Sequence, residues 1–351
     1  MGLLLPSILA NAQRPHSNYV LVQSSIAQTC LPVLRRLVNH RPGSKRARTI
    51  LICFLYPPSS LCEGTGDAID ILDYTGNVPG YAGTFNDPRD AILEAAKAAP
   101  AAPLNIIIDS VDTLASDLGS TSQTYQFLHA LITLIRARPN PSTLILHVLA
   151  PSQLIPLLSA TSFSPSLTHI LAHPPVLLTH LATAYLTPPP PLSTPEKFWG
   201  VFIPFSERAY ESEKLVFGPN GEGSGGIVKG ELVVEVLVRG GGEGRRRTVE
   251  RVLEGWADTK GGPCELNAME SLKSIWTKKA VAEEAPPDPT QNVSFNLNLT
   301  DSQQQSRAQV PLPYAHEGKP LDNQAAPAAI LYDPDSADDI DDDDPDEDLD
   351  I

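Results

Sequence analysis

The run Leu104-Asn105-Ile106-Ile107-Ile108, closed by Asp109-Ser110 and preceded by Pro103, constrains the fold of this chain more than any other stretch. It is short, mostly β-branched and lacks polar alternation. Such a run suits a strand buried on both faces, as in a parallel sheet covered by helices. Asp109 would then stand at the carboxyl end of the strand, where open α/β sheets bind their ligands.

The rest of the chain fits the same sheet. Tyr19 to Gln23, Thr49 to Tyr56, Ile69 to Tyr74 and Ser142 to Leu149 read as further apolar strands. Between them lie helical signals. Leu31, Leu34, Leu37 and Val38 form one apolar face, with Ser25 and Gln28 spaced as a capping box and Pro32 marking an alternative helix start. Asp87-Pro88 opens a helix to about Ala99, and Tyr125 to Arg138 is another. Alternating strands and helices predict a mainly parallel sheet with right-handed crossovers. Beyond Pro188 to Pro191 the pattern changes. Leu232, Val234, Val236 and Val238 form one face of a strand, while Glu231, Glu235 and Arg239 punctuate the other. Thr248 to Leu253 reads as the return strand, giving an antiparallel C-terminal extension.

Composition matters mainly for the ends. The net charge of −15 is concentrated: Asp333 to Asp350 holds twelve acidic residues and no Lys or Arg, so the remainder carries only −3. The tail should be self-repelling and disordered. Many of the 34 prolines fall outside the patterned segments, and Pro286-Pro287-Asp288-Pro289 reads as a linker. The expected domains are 1–279 folded, 280–315 a linker with a docking arm, and 316–351 a disordered acidic tail. Cys30, Cys53, Cys62 and Cys264 include no C-x-x-C pair, which argues against zinc and for a reducing compartment. Leu3 to Ala10 lacks the basic flank of a signal peptide, and no stretch is long enough for a membrane span. An intracellular protein is expected.

A sheet that begins strand, loop, helix invites the nucleotide question. A phosphate-binding loop needs glycines, a lysine and a following Ser or Thr. Here the loop from Ser24 to Thr29 has no glycine, carries β-branched Ile26, and no lysine precedes Lys45. Only Thr29 matches. Asp109 is therefore expected to do structural work, such as capping a neighbouring segment, rather than to hold magnesium. Glu63 to Gly66 and Gly221 to Gly226 read as turns. His169, His173 and His180 lack a metal-binding spacing, and Ser24 or Ser25 lacks the glycines of a nucleophile elbow. No catalytic, cofactor or metal site is expected. Arg245-Arg246-Arg247, with Arg239 and Arg251 nearby, is the candidate RNA-phosphate contact, and a solvated loop is its plain alternative.

Three stretches together resemble the Elongator complex subunit five family, in a fungal form. They are Ser25 to Thr29 after the first strand, Ile106 to Ser110, and Ser294-Phe295-Asn296-Leu297-Asn298-Leu299-Thr300 followed by Val310-Pro311-Leu312-Pro313-Tyr314. An ending of the type Ile330 to Asp335 and the acidic tail complete the pattern. The resemblance implies a RecA-like α/β fold that has lost its Walker motifs. It implies a heterohexameric ring with Elongator subunits four and six, in the cytoplasm and nucleus. That ring binds tRNA and supports wobble-uridine (U34) modification by a separate catalytic subcomplex. From the residues themselves, the alternation of Phe295, Leu297 and Leu299 suits a strand added to a sheet edge. Phe295, Leu297, Leu299, Leu312 and Tyr314 are the expected partner-docking anchors. The competing readings are a divergent RecA-type ATPase and an acidic-tailed histone or transcription-elongation partner.

Overall fold

A computed structural model of the chain describes residues 2–12, 17–39, 48–63, 69–81, 85–218, 230–240 and 249–282, with 302, 305 and 306 besides. The chain divides into the units Met1–Glu284 and Ala285–Ile351, and the sheet with its covering helices belongs to the first.

The sheet has nine strands among the described residues. These are β1 Tyr19–Ser25, β2 Arg48–Cys53, β3 Ile69–Asp73, β4 Leu104–Ile108, β5 Thr143–Ala150, β6 Leu167–His173, β7 Glu231–Arg239, β8 Val249–Ala257 and β9 Gly262–Cys264. Their order is β3-β2-β4-β5-β1-β6-β7-β8-β9. From β3 through β6 every pairing is parallel. From β6 outward every pairing is antiparallel. The expected α/β class, mainly parallel with an antiparallel C-terminal extension, is the one found.

Helices cover both faces. On one side α4 (Pro88–Ala98), α5 (Val111–Leu118), α6 (Thr121–Arg136) and α7 (Leu154–Ser159) bury Ile92, Leu114, Leu131 and Leu158 against Leu21, Ile52, Ile106 and Leu146. On the other, α1 (Leu5–Leu9), α2 (Leu31–Asn39) and α3 (Pro58–Leu61) bury Leu5, Leu34 and Leu61 against Val22, Leu51, Ile107 and Val234. Because side chains alternate across a strand, Ile106 and Ile108 serve the first layer while Ile107 serves the second. That division is why the run carries a single polar residue, the half-buried Asn105. A third cluster packs α8 (Pro175–Ala184), α9 (Pro195–Ser206), α10 (Ala209–Phe217) and α11 (Lys273–Ala282) around Phe198, Phe202 and Val233.

Local signals account for most helix starts. Asp87 accepts the Arg89 N–H, with Pro88 in the first turn of α4. Ser110 and Ser120 cap α5 and α6 through the N–H groups of Thr113 and Gln123. The Ser25–Gln28 capping box is corrected. Ser25 Oγ does accept the Gln28 N–H, at 3.1 Å, but α2 begins at Leu31, with Pro32 in its first turn where it costs no hydrogen bond.

In the antiparallel extension Glu231, Glu235 and Arg239 punctuate one face of β7, and both acids are buried. Each acid has found donors. Glu231 accepts the N–H groups of Glu270 and Ser271 at 2.9 and 3.0 Å. On β8, buried Glu254 likewise accepts the N–H groups of Leu4 and Leu5, tying the amino-terminal segment to the sheet. Packing here is close at Gly255: a Cβ would lie 2.7 Å from Met269 Sδ and 3.1 Å from Cys264 Sγ. Gly255→Ala is expected to lower stability by about 1–2 kcal/mol through overpacking, read as a lower urea midpoint with unchanged slope.

Candidate functional site at the carboxyl edge of the sheet

Strands β1, β4 and β5 end side by side, and the chain beyond them converges on Asp109. This carboxylate is fully buried. Its Oδ1 accepts the Phe54 N–H at 2.7 Å. Its Oδ2 accepts those of Leu55 at 2.9 Å and Tyr56 at 2.7 Å. Burial pushes the carboxyl group above its usual range, and the N–H donors pull against that shift. Both oxygens are thus committed to the turn after β2. The structural role expected for Asp109 is the role it has.

His147, on β5, extends this network. Its Nδ1 lies 2.5 Å from the Asp109 carbonyl oxygen, and its Nε2 lies 2.7 Å from Ser24 Oγ. A carbonyl only accepts, so Nδ1 carries the proton and Nε2 accepts the Ser24 hydroxyl. Burial lowers the His147 pKa, in keeping with a neutral ring. Ser24 Oγ in turn accepts the Cys30 N–H at 2.8 Å. A Ser–His pair at the end of a strand suggests a nucleophile and its base. Here the serine is 2 % exposed, and it draws the phosphate-loop position shut.

That loop is closed upon itself. The Ser25 N–H donates to the Gln28 carbonyl at 2.9 Å and the Gln28 N–H returns to Ser25 at 3.3 Å. Thr29 Oγ1 accepts the Leu31 N–H at 3.2 Å. Four backbone N–H groups, those of Ser25, Gln28, Cys30 and Leu31, are therefore spent inside this turn and not left for a phosphate. Beside the exposed Thr29, three apolar side chains face outward: Ile26, Leu55 and Leu149, from the loops after β1 and β2 and from the end of β5.

Beside this lies a cleft of about 320 Å³, lined in part by Gln23, Ser25, Ser152, Ser206, Glu235 and Arg251. Its wall holds an ion cluster. Glu235 Oε2 is 2.8 Å from His173 Nε2 and Oε1 is 3.1 Å from Arg251 Nε. Burial pushes the Glu235 carboxyl up, but His173 and Arg251 outweigh it and hold the group below its usual range. Arg251 also lies over the Trp199 ring, 5.7 Å from its centroid. His169 Nε2 bonds Gln23 Oε1 at 3.0 Å, and burial lowers its pKa to about 4. His180, on α8, packs against Tyr185 and Phe205. Among the described residues no group of three or more His, Cys, Asp or Glu side chains could hold a metal ion. The sequence offered one hint of the cluster: charged residues alternating with valines in a strand that must be covered.

The candidate RNA contacts Arg245, Arg246 and Arg247 lie outside the described residues, between β7 and β8 in the chain. So do the candidate docking residues Phe295, Leu297, Leu299, Leu312 and Tyr314. The two neighbouring arginines have other tasks. Arg251 serves Glu235, and the Arg239 guanidinium donates to the carbonyls of Ser159 and Ser164, each at 2.8 Å.

A family model described as Elongator subunit Iki1 matches residues 4–333. The chain belongs to that family. Relatives of this Iki1-family chain include Elongator complex protein 5 of Danio rerio, 37 % identical over 73 residues covering 20 % of this chain and 25 % of the relative. Elongator complex protein 5 of Homo sapiens is 38 % identical over 73 residues, covering 19 % and 24 %. The aligned segment thus spans about a quarter of each relative's length. Among solved structures, the Iki1-family chain is similar to a KaiC-like protein from Pyrococcus horikoshii OT3, with TM-score 0.37 and 12 % identity, covering 70 % of this chain and 88 % of that one. The Iki1 match includes the whole 295–314 segment. Among the described residues, no helix is long and apolar enough to cross a membrane.

Proposed function

We propose that the protein is a non-catalytic accessory subunit of the Elongator complex. In this reading it is a RecA-like protomer of a heterohexameric ring with Elongator subunits four and six. The ring binds tRNA and supports wobble-uridine (U34) modification by the catalytic subcomplex, in cytoplasm and nucleus. The observation that carries the reading is the closed loop from Ser25 to Thr29, together with an Asp109 whose carboxylate is given over to backbone. A chain that must itself grip a triphosphate cannot spend those groups on its own turns. A ring component can, because it needs flanks and not phosphate chemistry. Exposed Ile26, Leu55 and Leu149 at the same edge support an apolar contact with a neighbour.

The domain division 1–279, 280–315 and 316–351 belongs to this proposal, with Phe295, Leu297, Leu299, Leu312 and Tyr314 anchoring the arm on a ring partner and Arg245 to Arg247 meeting RNA phosphate. Purification of the tagged full-length chain from cells should bring down two RecA-like partners at a native mass near six protomers. The double change Phe295→Asp and Leu297→Asp should reduce that recovery by roughly tenfold or more, since each charge would have to be desolvated at an apolar contact. Unchanged copurification would refute the arm. Magnesium-dependent ATP turnover by the isolated monomer would refute the non-catalytic assignment.

A further inference from the structure

The antiparallel end of the sheet has a half-covered edge. Short β9 pairs only with Gly255, Trp256 and Ala257, and the chain then turns away through the helical turn Leu266–Ala268. Among the described residues, Val249 to Glu254 pair with β7 alone. The register shows which backbone groups this leaves open. The Asp258 N–H donates to the Gly230 carbonyl at 2.9 Å, one step beyond the Glu231–Ala257 pair that ends the ladder. Bonded and non-bonded pairs alternate along an antiparallel ladder. Even-numbered residues of β8 therefore bond to β7, and odd-numbered ones point at the edge. Pro263 agrees with this register: it has no N–H, and it stands opposite even-numbered Trp256. The N–H and carbonyl groups of Arg251 and Leu253 thus face outward, with no backbone partner among the described residues.

A groove of about 590 Å³ runs along this edge, and Arg251, Val252, Leu253 and Glu254 all line it. Successive side chains of a strand point to opposite faces, so a groove shared by all four lies at the edge and not over one face. Phe198, Trp199 and Leu266, packed with Leu253, line one wall. Leu3 lines the other, where Leu4 packs on the same face as Val252. An open edge between two walls fits a single added strand. A second copy of this chain fits it poorly. Two β8 edges pairing antiparallel through Arg251 and Leu253 would set Arg251 against Arg251, or Glu250 against Glu254, and like charges directly opposite repel. Exposed Glu250 and Glu265 mark the two ends of the open stretch, and neither has a salt-bridge partner among the described residues. We propose that the β8 edge docks an extended segment of a partner protein by strand addition. Alternate apolar residues of the segment turn to the Phe198–Trp199 wall, basic residues lie at its ends, and its backbone bonds to that of Arg251 and Leu253. The proposal does not rest on Elongator membership.

The probe is a capped seven-residue peptide in which valine and threonine alternate between terminal lysines. It is titrated into the full chain by calorimetry and by residue-resolved hydrogen exchange. Saturable binding is expected, with exchange of the Arg251 and Leu253 amides slowed roughly tenfold or more. The amides of Val252 and Glu254, already bonded to β7, should change little. N-methylation of alternate peptide residues tests the pairing directly, since only one set of amides can face the edge. One of the two methylated frames should weaken binding roughly tenfold or more, and the other no more than a few-fold. Leu253→Pro removes an edge-facing N–H without touching a bond to β7, and should weaken binding to a similar degree in a chain shown to be folded by circular dichroism. Terminal glutamates in place of the lysines should weaken it a few-fold. No saturable binding to the folded chain, equal loss in both methylated frames, or equal binding of the glutamate-ended peptide would overturn the proposal. Binding that appears only in the chain carrying Phe295→Asp and Leu297→Asp would assign the edge to a segment of this chain itself. A concentration-dependent dimer without peptide binding would assign it to a second copy. Either result would equally overturn the proposal.

Discussion

Replacing Asp109 with alanine is expected to lower the unfolding free energy by roughly 3–5 kcal/mol, a large share of what a domain of this kind has to lose. The size of the loss reflects the donors left behind. Three backbone N–H groups lose their acceptor. That of Phe54 is in the interior, while those of Leu55 and Tyr56 are part-buried and regain some water. At about 1–3 kcal/mol per unpaired buried donor, the sum falls in the stated range after that discount. The damage would also spread, because the Asp109 carbonyl holds the His147 ring that closes the Ser24 to Cys30 turn. Urea unfolding of the full chain with and without magnesium separates the two roles of such an acid. A structural Asp109 gives the same large loss in both conditions. A loss below about 1 kcal/mol, or one present only with magnesium, would mean that the carboxylate is not a latch on the turn after β2.

Stability should also fall on mild acidification, and His169 should dominate the fall. Its pKa is lowered by burial from 6.5 to about 4. Between those values the unfolded chain binds a proton that the native ring does not. Stability therefore declines as pH drops from about 6.5, and the decline is complete near pH 4. A difference of this size corresponds to about 3 kcal/mol. His147 contributes in the same direction, since burial lowers it too. Glu235 acts in a separate, lower window. Its folded pKa lies below its usual value, so the stability it contributes is complete above that value and is lost only as pH falls through the folded one. Asp109 and Glu254, both raised by burial, work the other way and favour the native state on acidification. The clean readout is a difference in slope. His169→Gln keeps a polar partner for Gln23 and should remove close to one proton from the pH dependence between 6.5 and 4.5. Equal slopes for the two proteins would sink the assignment.

The fold class could be read from the sequence because it depends on short-range facts. Ile106, Ile107 and Ile108 leave no polar face, so their strand must be covered twice. Asp87-Pro88 starts a helix wherever it stands. The loop from Ser24 to Thr29 has no glycine and no lysine precedes Lys45, however the chain folds. Even the structural reading of Asp109 followed from that absence, since an acid at a strand end without a phosphate grip must find other donors.

The partners it found were not legible. Phe54, Leu55 and Tyr56 are more than fifty residues away, and only the parallel pairing of β2 with β4 brings their N–H groups to the carboxylate. For the same reason Ser25 and Gln28 looked like a helix cap. The motif is local, but whether a turn or a helix follows is settled by the Ser24–His147 tie across the sheet. The burial of Glu231, Glu235 and Glu254 was not legible either, because alternation marks two faces without saying what lies over each. Sequence by itself determined which residues could not reach water, and that the phosphate chemistry was gone. Tertiary structure decided which acids would be buried with their donors and how the old loop was closed, because hydrogen bonds between distant segments depend on strand order, and strand order is not written in any one segment.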